Sequence, residues 1–252
     1  MLKSLFCICA SLIISIFSFS QDVSTLMTAG QKLEQQFKAP EALAKYQEAL
    51  VSQPSNIKAA VKCAELCCSI GGREATKEGK TKWFNDAKGY AATAILYGPN
   101  DVDANYIMSV TFGKLTETET SNSKVVEDVK ATKSYADKAL SIDTNYGKAW
   151  YVIGKWHYEV MNLNVVKKAA VRVFYGGLGA TDIDTCIAAY EKCKTLEPYF
   201  CPNYMALAKA YRYNKQFEKA LATLQQCIKC PSRQQDDPAI KEEAKKLLID
   251  WQ

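Results

Sequence analysis

His157 is the only histidine in the 252 residues, and a hydrolase built on it would need a Ser or Cys nucleophile that no motif supplies. Gly79-Lys80-Thr81 ends like a phosphate-binding loop. That motif wants glycine where Glu74 stands, and no strand precedes it. Gly176-Gly177-Leu178-Gly179 follows a helical stretch, misses G-x-G-x-x-G and reads as a turn. Carboxylates are plentiful, but no pair stands out as an acid and a base. The cysteines are more suggestive. Two of the ten, Cys7 and Cys9, sit in an N-terminal apolar run, and the rest are Cys63, Cys67, Cys68, Cys186, Cys193, Cys201, Cys227 and Cys230. Cys227-Ile-Lys-Cys230 has redox spacing, yet it closes a helical stretch instead of following a strand. A structural zinc needs four ligands, and the lone histidine occupies a helix-packing position. No catalysis, metal or cofactor is expected.

As packing residues the cysteines make better sense. Trp150, Ile153, Gly154 and His157 have the spacing W-x2-L-G-x2-Y, the first helix of a tetratricopeptide repeat (TPR) of about 34 residues. Cys186, Tyr190, Cys193 and Pro198 then fall where the second helix wants small, aromatic, small and Pro. Tyr204, Leu207, Ala208, Tyr211, Ala220, Leu224 and Cys227 repeat the phase. Cys186, Cys193 and Cys227 thus stand where helices approach closely, and a buried free Cys behaves as a small hydrophobe. An even number of cysteines in an exported chain also allows disulfides, and that reading stays open.

The same phase extends towards the N-terminus. A first helix from Asp22 to Phe37, with Gly30 at a close-contact site, precedes a second that opens at Ala39-Pro40. Pro54, Pro99 and Thr144 mark repeat ends 45 residues apart, so repeats two and three are longer than the standard unit. Ile57 to Ile70 is expected to stop at Gly71-Gly72. A long helix to about Tyr97 follows. Repeat three runs from Asp103 through Phe112, breaks near Ser121-Asn122-Ser123 and resumes to Ile142. Repeat four carries an insertion, Met161 to Gly179. After Asp236-Asp237-Pro238 a last helix, Ala239 to Trp251, covers the end of the stack. The expected fold is all-α: a TPR-like α-solenoid of about five helix pairs with a C-terminal capping helix, one domain over residues 21–252.

Residues 1–20 read as a signal peptide. Lys3 precedes an apolar run from Leu5 to Phe19, and Ser18 and Ser20 are small residues before Gln21. The expectation is export to the periplasm or medium after cleavage near Gln21, with an uncleaved N-terminal anchor as the alternative. Thirty-two Lys and Arg against 27 Asp and Glu leave a charge of +5, too mild to argue for nucleic acid.

The first helices of a TPR stack line its concave face. Counted from the phase above, that face receives Tyr106, Lys148, Tyr151, Lys155, Tyr158, Lys209 and Arg212. Tyr offers contact area at low entropic cost, and Lys and Arg offer charge-assisted donors. A protein or peptide partner is expected there, with a phospholipid held in the solenoid as the alternative. The Asn-containing carboxylate clamp of chaperone-binding TPRs is not matched by Asn105 or Asn203. A second candidate surface is the insertion, where Lys167, Lys168 and Arg172 flank an apolar face ending in Phe174, a pattern for a membrane or a partner helix. Oligomeric state is not readable.

From Trp150 to about Leu248 the chain resembles the regulator of microtubule dynamics family. The residues carrying the likeness are Gly154-Lys-Trp-His-Tyr-Glu-Val, Leu163-Asn with Lys167-Lys168, Phe174-Tyr-Gly, Ala180-Thr181, Leu196-Glu-Pro-Tyr-Phe, Asn203-Tyr with Leu207-Ala-Lys-Ala-Tyr211, and Asp236-Asp-Pro-Ala-Ile. The resemblance implies an all-helical binding module without catalysis, whose eukaryotic relatives are associated with microtubules and organelle membranes. An exported bacterial homologue would meet no microtubules, so fold transfers better than role.

Overall fold

The computed structural model describes residues 23–164, 168–169, 171–173 and 176–252. The expected leader, Lys167 and Phe174 lie outside them. Every regular element among the described residues is helical: α1 (23–35), α2 (Ala39–Ser52), α3 (Ile57–Arg73), α4 (Lys77–Tyr97), α5 (Val102–Leu115), α6 (Asn122–Ile142), α7 (Gly147–Met161), α8 (Ile183–Leu196), α9 (Cys201–Tyr213), α10 (Phe217–Lys229) and α11 (Asp237–Asp250). From α2 onward each helix packs on the next, and α3 with α5 and α5 with α7 also touch. The result is the TPR-like solenoid, with α11 packed on α9 and α10.

Local chemistry sets the helix starts. Asn56 Oδ1 accepts from Ala59 N at 3.0 Å, Thr76 Oγ1 from Gly79 N at 3.0 Å, Asp101 Oδ1 from Ala104 N at 2.9 Å and Asp182 Oδ1 from Thr185 N at 2.7 Å. Each satisfies an amide that the helix itself leaves unpaired. The Gly79-Lys80-Thr81 sequence is therefore an ordinary capped first turn. Pro40, Pro202 and Pro238 occupy first turns, where the missing N–H costs nothing.

Packing then locks the pairs. In two pairs the aromatic ring of the second helix needs a gap in the first: Tyr46 fills one over Gly30 and Tyr190 one over Gly154, each so close that an added Cβ would sit 2.7 Å from the ring. Alanines fill the closest contacts elsewhere, Ala60, Ala64, Ala91, Ala94, Ala136 and Ala139 all being fully buried. Cys186, Cys193 and Cys227 sit at 0% exposure in the small sites expected of them.

Four expectations change. Gly71-Gly72 does not stop α3, which continues to Arg73; Gly71 is another close-approach site, with an added Cβ 2.7 Å from Trp83 and Phe84. Helix α5 runs on to Leu115, and α11 starts two residues earlier than expected, at Asp237. Phe37 does not end α1 as a helical residue: it adopts φ 58° after the helix end and is 42% exposed. The extra length of repeats two and three went largely into α4 and α6, each 21 residues against 14 for α2. Indoles tie those extra turns down. Trp83 donates to Glu74 Oε1 at 3.1 Å, and Trp156 donates to the Val129 carbonyl of α6 at 3.0 Å.

Candidate functional site

Helices α1, α3, α5 and α7 present one side to a groove of about 1350 Å³. The 45-residue spacing of repeats two to four puts equivalent residues in rows along it: Val61, Tyr106 and Tyr151; Glu65, Val110 and Lys155; Lys58, Asp103 and Lys148. Phe200 and Pro202, ahead of and within the first turn of α9, extend the lining, and residues 233–236 form a further wall.

An aromatic floor lies at its centre. Tyr106 and Tyr146 are 5.3 Å apart between centroids, and the Tyr146 hydroxyl donates to Asp103 Oδ1 at 2.6 Å. Tyr151 meets Phe200 edge-on at 5.1 Å and Tyr190 at 5.9 Å. Burial pushes the Tyr106 hydroxyl far above its ordinary range and Tyr151 up to about 12, so both stay neutral donors. Lys148 Nζ stands 5.8 Å from the Tyr106 centroid, within reach of a cation–π attraction. Lys155 is exposed and makes no ion pair among the described residues.

Elsewhere the lining neutralises itself. Lys62 bridges Glu65 at 2.9 Å and Glu34 at 3.3 Å, and Glu34 also accepts from the Tyr46 hydroxyl. Burial alone would lower the Lys62 pKa, but the two carboxylates push it up. Lys114 pairs with Glu117 at 2.8 Å. Arg73, at the end of α3, pairs at 3.2 Å with Asp236, which lies 163 positions further along the chain. That pair joins the end of α3 to the 233–236 wall.

Of the residues singled out from sequence, Tyr106, Lys148, Tyr151 and Lys155 line this groove together. Tyr158, Lys209 and Arg212 do not line it. Tyr158 packs beside Tyr190 and meets the Tyr213 ring at 6.0 Å. Lys209 pairs with Glu243 of α11 at 2.8 Å, and the Arg212 guanidinium lies 4.4 Å over Phe217 and 5.6 Å over Trp251. In the insertion, Lys168 Nζ donates to the Met161 carbonyl at 2.7 Å and Arg172 is exposed. Lys114, Phe200, Arg73 and residues 233–236 were not anticipated. Lys114 was within reach, because a 45-residue step from Ser69 lands on it. Phe200 and the wall follow no periodic pattern.

The groups weighed for chemistry occupy packing positions. His157 is buried at 7% exposure with Nδ1 unpartnered, and burial, helped by Lys133, lowers its pKa against the pull of Asp182 and Asp137. Burial pushes the Cys63, Cys67, Cys186 and Cys193 thiols up to about 12, which withholds the thiolate that nucleophilic chemistry uses. Among the described residues no three His, Cys, Asp or Glu side chains converge on a metal-sized site, and no helix is long and apolar enough to cross a membrane.

Comparison with known proteins fits this architecture. The solved structure of a thermophilic TPR protein from Thermus thermophilus superposes with a TM-score of 0.68 at 14% identity, covering 90% of this chain and 99% of that one, a likeness of fold alone. Among curated proteins, regulator of microtubule dynamics protein 3 of Mus musculus is 24% identical over 69% of this chain and 37% of its own length. Regulator of microtubule dynamics protein 1 of Caenorhabditis elegans is 22% identical over 74% of this chain and 80% of its own. The alignment thus spans little more than a third of the mouse protein. The family described as RMD1-3, regulator of microtubule dynamics protein 1-3, matches residues 24–252, and the chain belongs to it.

Proposed function

We propose that this member of the regulator of microtubule dynamics family is a non-catalytic scaffold that holds an extended segment of a partner protein in its concave groove. The observation that carries the proposal is the joint placement of Tyr106, Tyr151 and Phe200 with Lys148 and Lys155 in one groove. Aromatic faces supply contact area, and the cations answer carboxylates or backbone carbonyls. Among the described residues the lining holds seven cations and seven carboxylates. So mixed a lining suits a peptide, which offers both signs and its own amides, better than an acyl chain. The relatives' names tie those proteins to microtubules. What supports a shared theme here is the capacity to bind protein, with the identity of the partner left to experiment.

Photo-crosslinking tests the proposal. A benzophenone amino acid placed at Val110, in the groove, should capture a discrete partner in the native host, and the same probe at Lys138, exposed on α6, should not. Lys148→Glu with Lys155→Glu should markedly lower the yield of the Val110 product without changing helicity or melting temperature. Equal capture from both positions, or capture indifferent to the double substitution, would overturn the groove as the binding site.

A further inference from the structure

Cys201 opens α9 and Cys230 directly follows α10, and the fold brings them together. Both thiols lie 3.8 Å from one acceptor, the Pro231 carbonyl oxygen. Both side chains belong to one buried cluster. Cys227 completes the group, its thiol donating to the Cys201 carbonyl at 3.7 Å. Cys63, Cys67 and Cys68 share α3, and Cys186 and Cys193 share α8. Side chains three or four apart on one helix have Cβ atoms about 5–6 Å apart, those seven apart are about 10 Å apart along the axis, and those one or five apart point to different sides, whereas a disulfide spans roughly 3.5–4.5 Å. The same limit disfavours Cys227 with Cys230. Cys201 opens one helix and Cys230 caps another, and their thiols share one acceptor.

We propose that Cys201 and Cys230 are joined as a disulfide when the chain folds in the presence of a disulfide-bearing oxidant. One Sγ–Sγ bond forms, and two electrons and the two thiol protons pass to the oxidant, whose own disulfide breaks and leaves as two thiols. Cys201 is 0% and Cys230 6% exposed in the finished fold, and burial raises the Cys201 pKa. Exchange therefore takes place during folding, before the helix pair closes. The link has a structural consequence because Pro231 follows immediately. It anchors the start of the segment whose residues 233–236 wall the groove and whose Asp236 reaches Arg73. This inference stands whether or not the groove binds a peptide.

The test is to refold the full chain in mixed reduced and oxidised glutathione and to map it without reduction. The expected result is a Cys201–Cys230 cross-linked peptide, a denatured thiol titre lower by two, and a melting temperature several degrees above that of the dithiothreitol-treated protein. Cys230→Ala should remove all three effects and Cys227→Ser should keep them. Should Cys201→Ser fail to fold, Cys230→Ala, at the more exposed position, reads the same loss. Full titration of every thiol after refolding, or a link that falls on Cys227, overturns the proposal.

Discussion

Two mid-helix glycines should respond in opposite directions to the same substitution. Alanine is preferred over glycine inside a helix by roughly 0.8–1 kcal/mol. At Gly89, on the exposed side of α4, an added methyl meets nothing within 4 Å, so Gly89→Ala should gain roughly that amount. At Gly154 the methyl would stand 2.7 Å from Cδ1 and Cε1 of Tyr190 and 3.0 Å from Cγ. Tyr190 has no room to retreat: it is 1% exposed, the Tyr151 ring lies 5.9 Å away, and its carbonyl accepts from Asn203 Nδ2 at 2.9 Å. Overpacking of this kind costs roughly 1–3 kcal/mol. Net of the helical preference, Gly154→Ala should lose about 1 kcal/mol, or roughly 2–4 °C in a domain of this size. Urea and thermal unfolding followed by circular dichroism measure both changes. Adding Tyr190→Leu to Gly154→Ala should show a favourable coupling of roughly 0.5–3 kcal/mol, because the shortened side chain makes room for the methyl. If Gly154→Ala stabilised as Gly89→Ala does, the glycine–tyrosine lock between α7 and α8 would be refuted.

Three further outcomes follow from named contacts. Arg73→Glu should cost less than about 1 kcal/mol of global stability, since the pair is partly exposed, but should speed amide exchange across residues 232–236; Arg73→Glu with Asp236→Arg should restore protection. Asp237 is 1% exposed and accepts from the Arg233 and Gln234 amides at 2.7 and 2.8 Å, so Asp237→Ala should lose roughly 2–3 kcal/mol and expose those amides to exchange. His157 has its folded pKa lowered from 6.5, so the unfolded chain takes up the proton first; stability is full above 6.5 and falls as pH drops through 6.5 towards the folded pKa. His157→Gln should flatten the stability profile below pH 6.5, as read by denaturant titrations at several pH values.

The sequence revealed what depends on local spacing. Gly30 and Gly154, the buried cysteines and the alternation of long helices all follow from which side chains fit between paired helices, and that pattern is written in the chain every few residues. Gly71-Gly72 shows the limit. A glycine pair reads equally as a stop or as a close approach, and only the position of Trp83 and Phe84 decides. The groove was half legible for a related reason. Counting by repeat assigns Lys209 and Arg212 to the concave side as though another repeat followed. Helix α11 follows instead, and its Glu243 and the adjoining Trp251 engage both cations. The wall at 233–236 was beyond reach, because Arg73 and Asp236 meet through the curvature of the whole stack.

Curvature also decides which groove charges are available to a partner. The totals balance, but most carboxylates are occupied: Glu34 and Glu65 by Lys62, Glu117 by Lys114, Asp236 by Arg73, Asp101 by the cap of α5 and Asp103 by the Tyr146 hydroxyl. Glu159 is left. Among the cations, Arg233 stacks at 3.9 Å on Tyr199, while Lys58, Lys148 and Lys155 make no ion pair among the described residues. The free charge is thus positive, and on the proposed reading it selects an acidic segment. Contacts to such solvent-accessible lysines contribute at most about 1 kcal/mol each, so they orient the segment and speed its arrival more than they hold it. Retention falls to the row of Tyr106 and Tyr151 with Phe200. Removing a lysine should therefore slow association in a salt-dependent way, whereas truncating Tyr151 should speed dissociation at any ionic strength.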